Sequence, residues 1–334
     1  MKDIRNYSLK AHNTFAIDAR CDRFLEFSTP EEARQVAAIL RQSATHYIII
    51  GAGSNLLLTA DFSGTVVHSA ITGITNIDDN GVTAGSGEPW DNVVAASVAK
   101  GFYDLANLSA IPGDTGAAVV QNIGAYGAEI SQCVKKIKAI EIASGEEVTI
   151  APAECFYGYR DSRFKHEWKN RYLITAATFT LNRAKRPTLE YGNIRSELEK
   201  RNISMPTPTQ LRDVITDIRH EKLPDPKITG NAGSFFMNPV VERSRYDEMA
   251  KLYPGMPHYR VDEEHEKIPA AWLIDQCGWK GRSMGRAGVH DRQALVLVNR
   301  GGATGSEIVD LCRAIQRDVH EKFNIDIKPE VNII

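Results

Sequence analysis

The chain has 334 residues, 43% of them hydrophobic and 25% charged, so it is long enough to bury the cores of two or three domains. A formal net charge of −2 and the lack of a long apolar run argue against a nucleic-acid partner and against membrane insertion. The five scattered cysteines lack metal-ligand spacing and the segment MKDIRNYSLKAHNTF has no apolar signal region, so we expect a cytoplasmic protein without a metal site. A monomer is a separate expectation, which these features do not establish.

The first part of the chain predicts short strands mixed with helices. The helix PEEARQVAAILRQ (30–42) has its apolar residues on one face, with Thr29 as N-cap and Pro30 at the first helical position. The segment HYIIIGAGSN (46–55) predicts a buried strand that enters a glycine turn. The other elements are strands at 64–68, 81–87 and 172–181, a helix over 88–102, and a hairpin over 135–150 that turns at Ser144-Gly145.

The second part begins with a helix over 207–226 that ends at Pro224 and Pro226, and this proline pair indicates a domain boundary. Helices around 244–253 and 269–278 precede a strand at 294–299. An amphipathic helix over 306–323, with Ser306 as the expected cap, is followed by a strand within 325–334. Because helices and strands mix without strict alternation, the sequence predicts an α+β fold.

Two glycine-rich segments are candidates for ligand binding. In IIIGAGSN the turn could wrap a phosphate with backbone amides, although an ordinary strand-turn-strand is equally compatible with it. The segment IPGDTGAAVVQNIGAYG (111–127) matches neither a regular helix nor a regular strand. A long glycine-rich loop in a compact domain is usually functional, so we interpret it as a ligand-binding loop.

Three polar residues are candidates for chemistry. Ser234, in GNAGSFFMNPV, sits between glycines and phenylalanines, where it could end a turn or donate a proton in a dry site. Arg160, in GYRDSRFK, could bind a carboxylate or pair with Asp161 on the surface. Glu330, in IKPEV, could be no more than an exposed strand residue.

Taken together, these segments resemble the UDP-N-acetylenolpyruvoylglucosamine reductase family from NTFAI (13–17) to PEV (329–331). The resemblance includes GAGSNLL, NLSAIPGDTGAAVVQNIGAYGAEI, CFYGYRDSRFK, KLPDPKITGNAGSFFMNP, AAWLIDQCGWKG and GVHDRQALVLVN. The segment LEYGNIRSE resembles the longer, first type of the family, which has an insertion over the substrate.

The resemblance implies a three-domain flavoenzyme with a two-domain FAD-binding unit and a separate substrate-binding domain. We place the first FAD-binding subdomain at 1–67, joined by the C-terminal strand 325–334, the second at 68–222, and the substrate-binding domain at 223–324. FAD would be bound non-covalently, with NADPH as co-substrate. The reaction would reduce UDP-N-acetyl-enolpyruvylglucosamine to UDP-N-acetylmuramate for peptidoglycan synthesis.

The same resemblance implies roles for individual residues. Arg160 would bind the substrate carboxylate, Glu330 would stabilise the charge that develops on it, and Ser234 would protonate the adjacent carbon. The implied FAD contacts are Gly51, Ala52, Gly53, Ser54, Asn55, Ile111, Gly113, Gly116, Gln121, Asn122, Gly124, Tyr126 and Arg219. The implied contacts to the nucleotide sugar are Tyr191, Lys227, Asn238, Tyr259, Lys280 and Gln293.

The sequence departs from the family pattern at Asp114, where a small residue or cysteine is usual, and at Ala118-Val119-Val120. An acid close to the FAD pyrophosphate would weaken binding, so we expect Asp114 to point away. Two rival hypotheses remain: a related flavin oxidase or dehydrogenase with another substrate, and a non-catalytic protein that binds a nucleotide sugar.

Overall fold

The computed structural model describes residues 1–334. Its α-helices are α1 (Pro30–Gln42), α2 (Trp90–Ala99), α3 (Thr115–Gln121), α4 (Ile194–Lys200), α5 (Pro208–Lys222), α6 (Arg243–Leu252), α7 (Ala270–Gln276) and α8 (Gly305–Phe323). Single 3₁₀ turns occur at Lys10–His12, Ala106–Leu108, Ile130–Gln132, Pro152–Cys155 and Arg163–Lys165.

The first ten strands are β1 (Lys2–Ser8), β2 (Arg20–Phe27), β3 (Tyr47–Ile50), β4 (Leu56–Leu57), β5 (Phe62–Ser69), β6 (Ile74–Asp78), β7 (Gly81–Gly85), β8 (Gly124–Ala125), β9 (Ala128–Glu129) and β10 (Val134–Glu141). The others are β11 (Glu147–Ile150), β12 (Tyr172–Phe179), β13 (Gly230–Asn231), β14 (Val240–Glu242), β15 (Tyr259–Arg260), β16 (His265–Lys267), β17 (Ser283–Met284), β18 (Ala287–Val289), β19 (Leu297–Asn299) and β20 (Asn332–Ile333). The mixture is α+β, as the sequence predicts.

The chain forms two compact units, each built from separated segments. The first unit consists of Met1–Tyr7, Cys21–Ala52 and Phe62–Glu221. The second unit consists of Ser8–Arg20, Gly53–Asp61 and Lys222–Ile334. The three-domain boundaries drawn from the sequence stay a prediction.

The first unit contains a four-stranded sheet in the order β1-β2-β5-β3 and a five-stranded sheet in the order β11-β10-β12-β7-β6. In the four-stranded sheet β2, β5 and β3 run parallel, with β5 in the middle. The pairs of the five-stranded sheet are antiparallel. The predicted hairpin over 135–150 is β10–β11, and Gly145 has a φ of 80°, which favours glycine in the turn.

The α1 helix is confirmed with the boundaries that its sequence predicts. Thr29 caps it, because the side-chain oxygen accepts a hydrogen bond from the Glu32 amide, and Pro30 is the first helical residue. Its buried face, which includes Val36 and Leu40, packs into a cluster with residues of β2, β5, β10 and β12. Tyr47 and Ile49 of β3, the strand that leads to the Gly51 turn, pack against the same cluster, so burial of this face fixes α1 beside that strand.

The segment 103–130 has more regular structure than its sequence suggests. It contains the short helix α3 and the two-residue strands β8 and β9. Asn122 ends α3 in the left-handed conformation, with a φ of 46°. The composition hides this helix, since glycine and alanine give it no amphipathic pattern.

The second unit has a sheet in the order β13-β19-β18-β17, a three-stranded sheet β14-β16-β15, and the parallel pair β20–β4. The predicted stripe of α8 is buried, including Ile308, Leu311 and Ile315. The expected cap Ser306 is wrong: Thr304 caps α8 in a reciprocal capping box with Glu307. The C-terminal strand is shorter than predicted, because regular pairing is confined to Asn332–Ile333. None of the helices has the length and the apolar character that crossing a membrane requires.

Candidate active site

In the first unit, the turn after β3 lies directly on the start of α3. A Cβ atom on Gly51 would be 2.8 Å from the Ala117 Cβ atom, so only glycine permits this approach. Ala52 follows Gly51 in the same turn. The structure therefore brings together two segments that the sequence predicts to bind FAD.

The start of α3 and the loop before it are held by backbone contacts to the start of α2 and to the residues that precede α2. The Trp90 amide donates to the Gly113 carbonyl at 2.9 Å, and the Gly116 amide donates to the Ser86 carbonyl at 2.8 Å. A Cβ atom on Gly116 would lie 2.9 Å from the Ser86 Cβ atom. Ile111 packs against the core of the unit. The glycines thus serve close backbone packing as well as any ligand.

The Asp114 side chain lies against the Gly51 turn, and its expected orientation away from the FAD pyrophosphate stays a prediction. The residue is 8% exposed, and its Oδ2 atom lies 3.2 Å from the place that a Gly51 Cβ atom would take. The same oxygen is 3.4 Å from His68 Nε2, an ion pair without hydrogen-bond geometry. On the other side of the ring, His68 Nδ1 is 3.0 Å from Glu26 Oε2. Burial alone would lower the pKa of His68, but the two flanking carboxylates outweigh it and raise that pKa.

Arg160 lies in a tight turn that is fastened to the loop after α3. Gly158 and Asp161 exchange backbone hydrogen bonds of 3.0 and 3.1 Å, and Arg160 between them has a φ of 55°. Its guanidinium donates to the Gly124 carbonyl at 2.6 Å. The carboxylate of Asp161 is held by His166 at 2.8 and 2.9 Å. The arrangement therefore presents Arg160 at the candidate cofactor loop.

Asn122 connects the end of α3 to the Arg160 turn. Its side chain is fully buried and donates to the Gly158 carbonyl at 2.7 Å and to Glu129 Oε2 at 2.9 Å. Its carbonyl oxygen accepts a hydrogen bond of 3.1 Å from the Ser131 amide. Gln121, the last residue of α3, precedes it. In this structure the Asn122 side chain organises protein backbone, and its predicted contact to FAD stays a prediction.

Arg219, on α5, provides a desolvated cation in the first unit. Its Nε atom donates to the Ala110 carbonyl at 3.2 Å, and Tyr126 lies close enough to interact electrostatically with its guanidinium. Burial lowers the pKa of Arg219 and raises that of Tyr126. The ring of Tyr191 meets that of Tyr126 edge-on, with centroids 6.5 Å apart. A half-buried guanidinium of this kind fits an anionic ligand such as a diphosphate.

In the second unit, Ser234 and Glu330 lie on two segments that pair with each other. The Glu330 amide donates to the Phe235 carbonyl at 2.8 Å, and the Met237 amide donates to the Lys328 carbonyl at 2.9 Å. Ser234 is half-buried beside Phe235, which is fully buried, and its hydroxyl makes no hydrogen bond to the protein. The alternative role of Ser234 as a turn or helix cap therefore has no support from the structure.

The end of the glycine turn, Gly53 to Asn55, belongs to the second unit and lies beside the Glu330 segment. Gly53 has a φ of 69°, and a Cβ atom there would be 2.0 Å from the His12 carbonyl oxygen. Asn55 Nδ2 donates to the Glu330 carbonyl at 3.2 Å, and the Asn332 amide donates to the Asn55 carbonyl at 3.1 Å. The end of the predicted FAD turn thus adjoins the predicted catalytic glutamate.

The predicted substrate contacts of the second unit are less closely grouped. Gln293 Oε1 accepts from the Leu295 amide, and the Leu295 carbonyl accepts from the Phe235 amide at 2.7 Å, so Gln293 is near the Ser234 segment. Asn238 Oδ1 accepts a 2.9 Å hydrogen bond from the Ala270 amide at the start of α7.

The remaining predicted contacts of this unit are exposed. Lys227 lines a cleft of 740 Å³ that also contains Lys10, Asp18, Asp61 and Arg300. Tyr259 is 45% exposed, and Lys280 Nζ is 3.5 Å from Asp275. The structure thus does not group Tyr259 and Lys280 with the Ser234 segment by any described contact.

Sequence reasoning missed Glu26 and His68. Both are polar residues inside otherwise apolar strand segments, FLEF and TVVH, and they are direct partners in the parallel pairing of β2 and β5. A polar residue in a buried strand needs a partner, and this was the available signal. No group of three or more histidine, cysteine, aspartate or glutamate residues is arranged to hold a metal ion.

Comparison with known proteins identifies the family to which the chain belongs. Residues 225–334 match the C-terminal domain of UDP-N-acetylenolpyruvoylglucosamine reductase, and residues 22–151 match an FAD binding domain. The chain is 47% identical over 334 residues to UDP-N-acetylenolpyruvoylglucosamine reductase of Bacteroides fragilis strain YCH46, covering 99% of each chain. It is 43% identical over 331 residues to that of Burkholderia multivorans strain ATCC 17616 / 249, covering 97% of this chain and 95% of the relative.

A solved structure agrees at the level of the fold. The crystal structure of UDP-N-acetylenolpyruvylglucosamine reductase (MurB) from Thermus caldophilus aligns with a TM-score of 0.67 at 21% identity. The alignment covers 99% of this chain and 98% of that one. With near-complete coverage at more than 40% identity to curated relatives, this chain belongs to the UDP-N-acetylenolpyruvoylglucosamine reductase family.

Proposed function

We propose that this chain reduces UDP-N-acetyl-enolpyruvylglucosamine to UDP-N-acetylmuramate, with FAD as cofactor and NADPH as reductant, in the synthesis of peptidoglycan precursors. The observation that carries the proposal is the full-length match to reductases of this name, together with the FAD binding domain over 22–151. The enzyme is a flavin-dependent oxidoreductase.

The first unit has the properties that FAD needs. Gly51 and Gly116 allow backbone to approach where any side chain would collide, and Arg219 offers a desolvated guanidinium beside Tyr126. Held by these residues, FAD would supply the hydride chemistry that links oxidation of NADPH to reduction of the enolpyruvyl group. Binding of the substrate carboxylate, stabilisation of its developing charge and protonation of the carbon are assigned to side chains of the protein.

Arg160 is proposed to bind the carboxylate of the enolpyruvyl group. Hydride addition to the double bond moves negative charge toward that carboxylate, and a guanidinium stabilises the charge through two parallel hydrogen bonds. The anchoring of Arg160 to Gly124 and its positive φ support this role, because a strained and fixed turn keeps the cation in place.

Ser234 is proposed to protonate the adjacent carbon, and Glu330 to stabilise the enolised carboxylate by sharing a proton with it. The backbone pairing of Phe235 with Glu330 supports a joint role, since it keeps the two residues on neighbouring segments of one unit. A serine hydroxyl is a weak acid, but the enolate is a strong base, and the buried Phe235 and Phe236 help to exclude water.

The nucleotide sugar is proposed to contact Tyr191, Lys227, Asn238, Tyr259, Lys280 and Gln293. Lysines suit the diphosphate, and the orientation of Asn238 is fixed by its bond to the Ala270 amide. The proposal includes a monomeric protein in the cytoplasm.

An anaerobic two-step titration tests the proposal. NADPH should bleach the absorbance bands of the bound flavin, and enolpyruvyl-UDP-N-acetylglucosamine should restore them, with UDP-N-acetylmuramate as product. A colourless protein would favour a nucleotide-sugar binder. A flavin that NADPH bleaches but that only oxygen or another substrate restores would favour a related oxidase or dehydrogenase.

A further inference from the structure

A line of alternating charges runs beneath the Gly51 turn of the first unit. Lys2 Nζ is 2.6 Å from Glu26 Oε1, Glu26 Oε2 is 3.0 Å from His68 Nδ1, and His68 Nε2 is 3.4 Å from Asp114 Oδ2. The side chains of Glu26, His68 and Asp114 are 10%, 14% and 11% exposed. A buried carboxylate is costly unless a cation compensates it, so the protonation of His68 matters to both acids.

The geometry joins two segments that bind FAD in the proposed function. His68 on β5 is paired across the sheet with Glu26 on β2 on one side and with Ile50 on β3 on the other. Ile50 leads into Gly51, and Asp114 leads into α3, which rests on Gly51. A protonated His68 therefore ties the start of α3 to the sheet that supplies the turn.

We propose that His68 is a positioning residue for FAD. As a cation, His68 holds Asp114 and the start of α3 on the Gly51 turn. The protein therefore releases FAD more readily when His68 is neutral. The inference rests on the proposed function, because it needs FAD to use these two segments. It also explains how this chain tolerates an acid at 114: the carboxylate is held by His68.

The direction with pH follows from the charges. The charged groups that face His68 are Glu26 from β2 and Asp114 from the segment before α3, with Lys2 from β1 on the far oxygen of Glu26. Phe24 of β2 and Ile50 of β3 are apolar neighbours. The net charge of Lys2, Glu26, His68 and Asp114 is zero when His68 is protonated. It is −1 when His68 is neutral. The raised pKa of His68 means that its contribution is complete below ~6.5 and is lost as the pH rises through the raised value.

The test measures the release of flavin from the holoenzyme. After dilution, the fluorescence of free FAD is followed between about pH 6 and about pH 9, across the range in which a histidine with a raised pKa titrates. Circular dichroism at each pH shows that the fold is retained. We expect the dissociation constant of FAD to rise roughly five- to tenfold toward high pH, a usual size for coupled equilibria.

Substitutions at His68 and Asp114 test whether the pH dependence of FAD binding comes from His68. His68→Asn should have weak FAD binding at low pH and a flat profile, and adding Asp114→Asn should weaken binding no further, since the contact between the two residues is already lost. Asp114→Asn alone should also flatten the profile, which covers the case in which His68→Asn does not fold. The control is His320→Asn, which breaks an exposed His–Asp pair of 2.9 Å on α8 and should behave like the unmodified protein.

The outcomes separate the two proposals. A purified protein that contains no flavin and binds none when FAD is added would refute the proposed function. A flavin-containing protein whose FAD release does not change with pH, or whose profile survives in both His68→Asn and Asp114→Asn, would overturn the role of His68 while leaving the proposed function intact.

Discussion

Removal of the Ser234 hydroxyl tests the reaction chemistry most directly. In Ser234→Ala one oxygen atom is lost from a half-buried position between Gly233 and the buried Phe235. The hydroxyl bonds to no protein group, and the backbone pairing of Phe235 with Leu295 and Glu330 does not involve it. The fold and the bound flavin should therefore persist.

The expected magnitudes for stability and for rate differ enough to decide between the roles. A capping serine would cost about 0.5–2 kcal/mol of unfolding free energy on removal, and we expect less than about 0.5 kcal/mol because no cap exists. A positioned proton donor is worth roughly 10²-fold or more in rate, or about 2.7 kcal/mol in activation free energy. Reduction of the flavin by NADPH should not change, since no proton is delivered to the substrate in that half-reaction.

The assay is stopped-flow reoxidation of the reduced flavin by enolpyruvyl-UDP-N-acetylglucosamine. Ser234→Cys should retain part of the rate, because a thiol donates a proton from the same position. Ser306→Ala, at an exposed serine on α8 of the same unit, is the matched control and should reoxidise normally. A normal reoxidation rate in Ser234→Ala would remove this residue from the mechanism.

Four further predictions concern the other features of the site and fold. Acid precipitation should leave all flavin in the supernatant, and flavin on the pellet would contradict non-covalent binding. Arg160→Lys should cost about 2–4 kcal/mol in the reoxidation half-reaction and much less in reduction by NADPH; equal losses would indicate a structural role. Asn122→Ala should lower the unfolding free energy in urea by about 3 kcal/mol or more, whereas Asn202→Ala, at an exposed left-handed residue, should cost only about 1–2 kcal/mol. Thr304→Ala should destabilise by about 1 kcal/mol and Ser306→Ala by less than about 0.5 kcal/mol, and the reverse order would refute the cap assignment.

The sequence predicts best those elements that are defined by signals within their own segment, such as an N-cap or an apolar face. The helix α1 combines an N-cap, a proline at its first position and an apolar face, and its predicted boundaries are those observed. At α8 the apolar stripe is equally plain, but two capping residues compete, and Thr304 prevails because Glu307 completes the capping box. The helix α3 is hidden because its stability comes from packing on Gly51 and Ser86, which no local pattern reports.

For the candidate site, the sequence suggests which residues to consider but does not predict their contacts within the protein. The family resemblance names Asn122 as a cofactor contact, but its buried amide is occupied by the Gly158, Glu129 and Ser131 groups. The ionic contact of His68 with Asp114 joins residues far apart in the chain. Such contacts depend on the tertiary fold, and a single sequence gives no register between distant strands.

The pairing of the 235–237 segment with 328–330 has a consequence for biosynthesis. A nascent chain emerges from the ribosome with its N-terminal part first, so Ser234 leaves the exit tunnel well before Glu330 has been made. During that interval the rings of Phe235 and Phe236, which the finished fold buries to 0% and 1% exposure, lack the 328–330 segment that later pairs with them. A translation pause between these two segments lengthens the time in which an aromatic, uncharged stretch is open to aggregation or to chaperone binding.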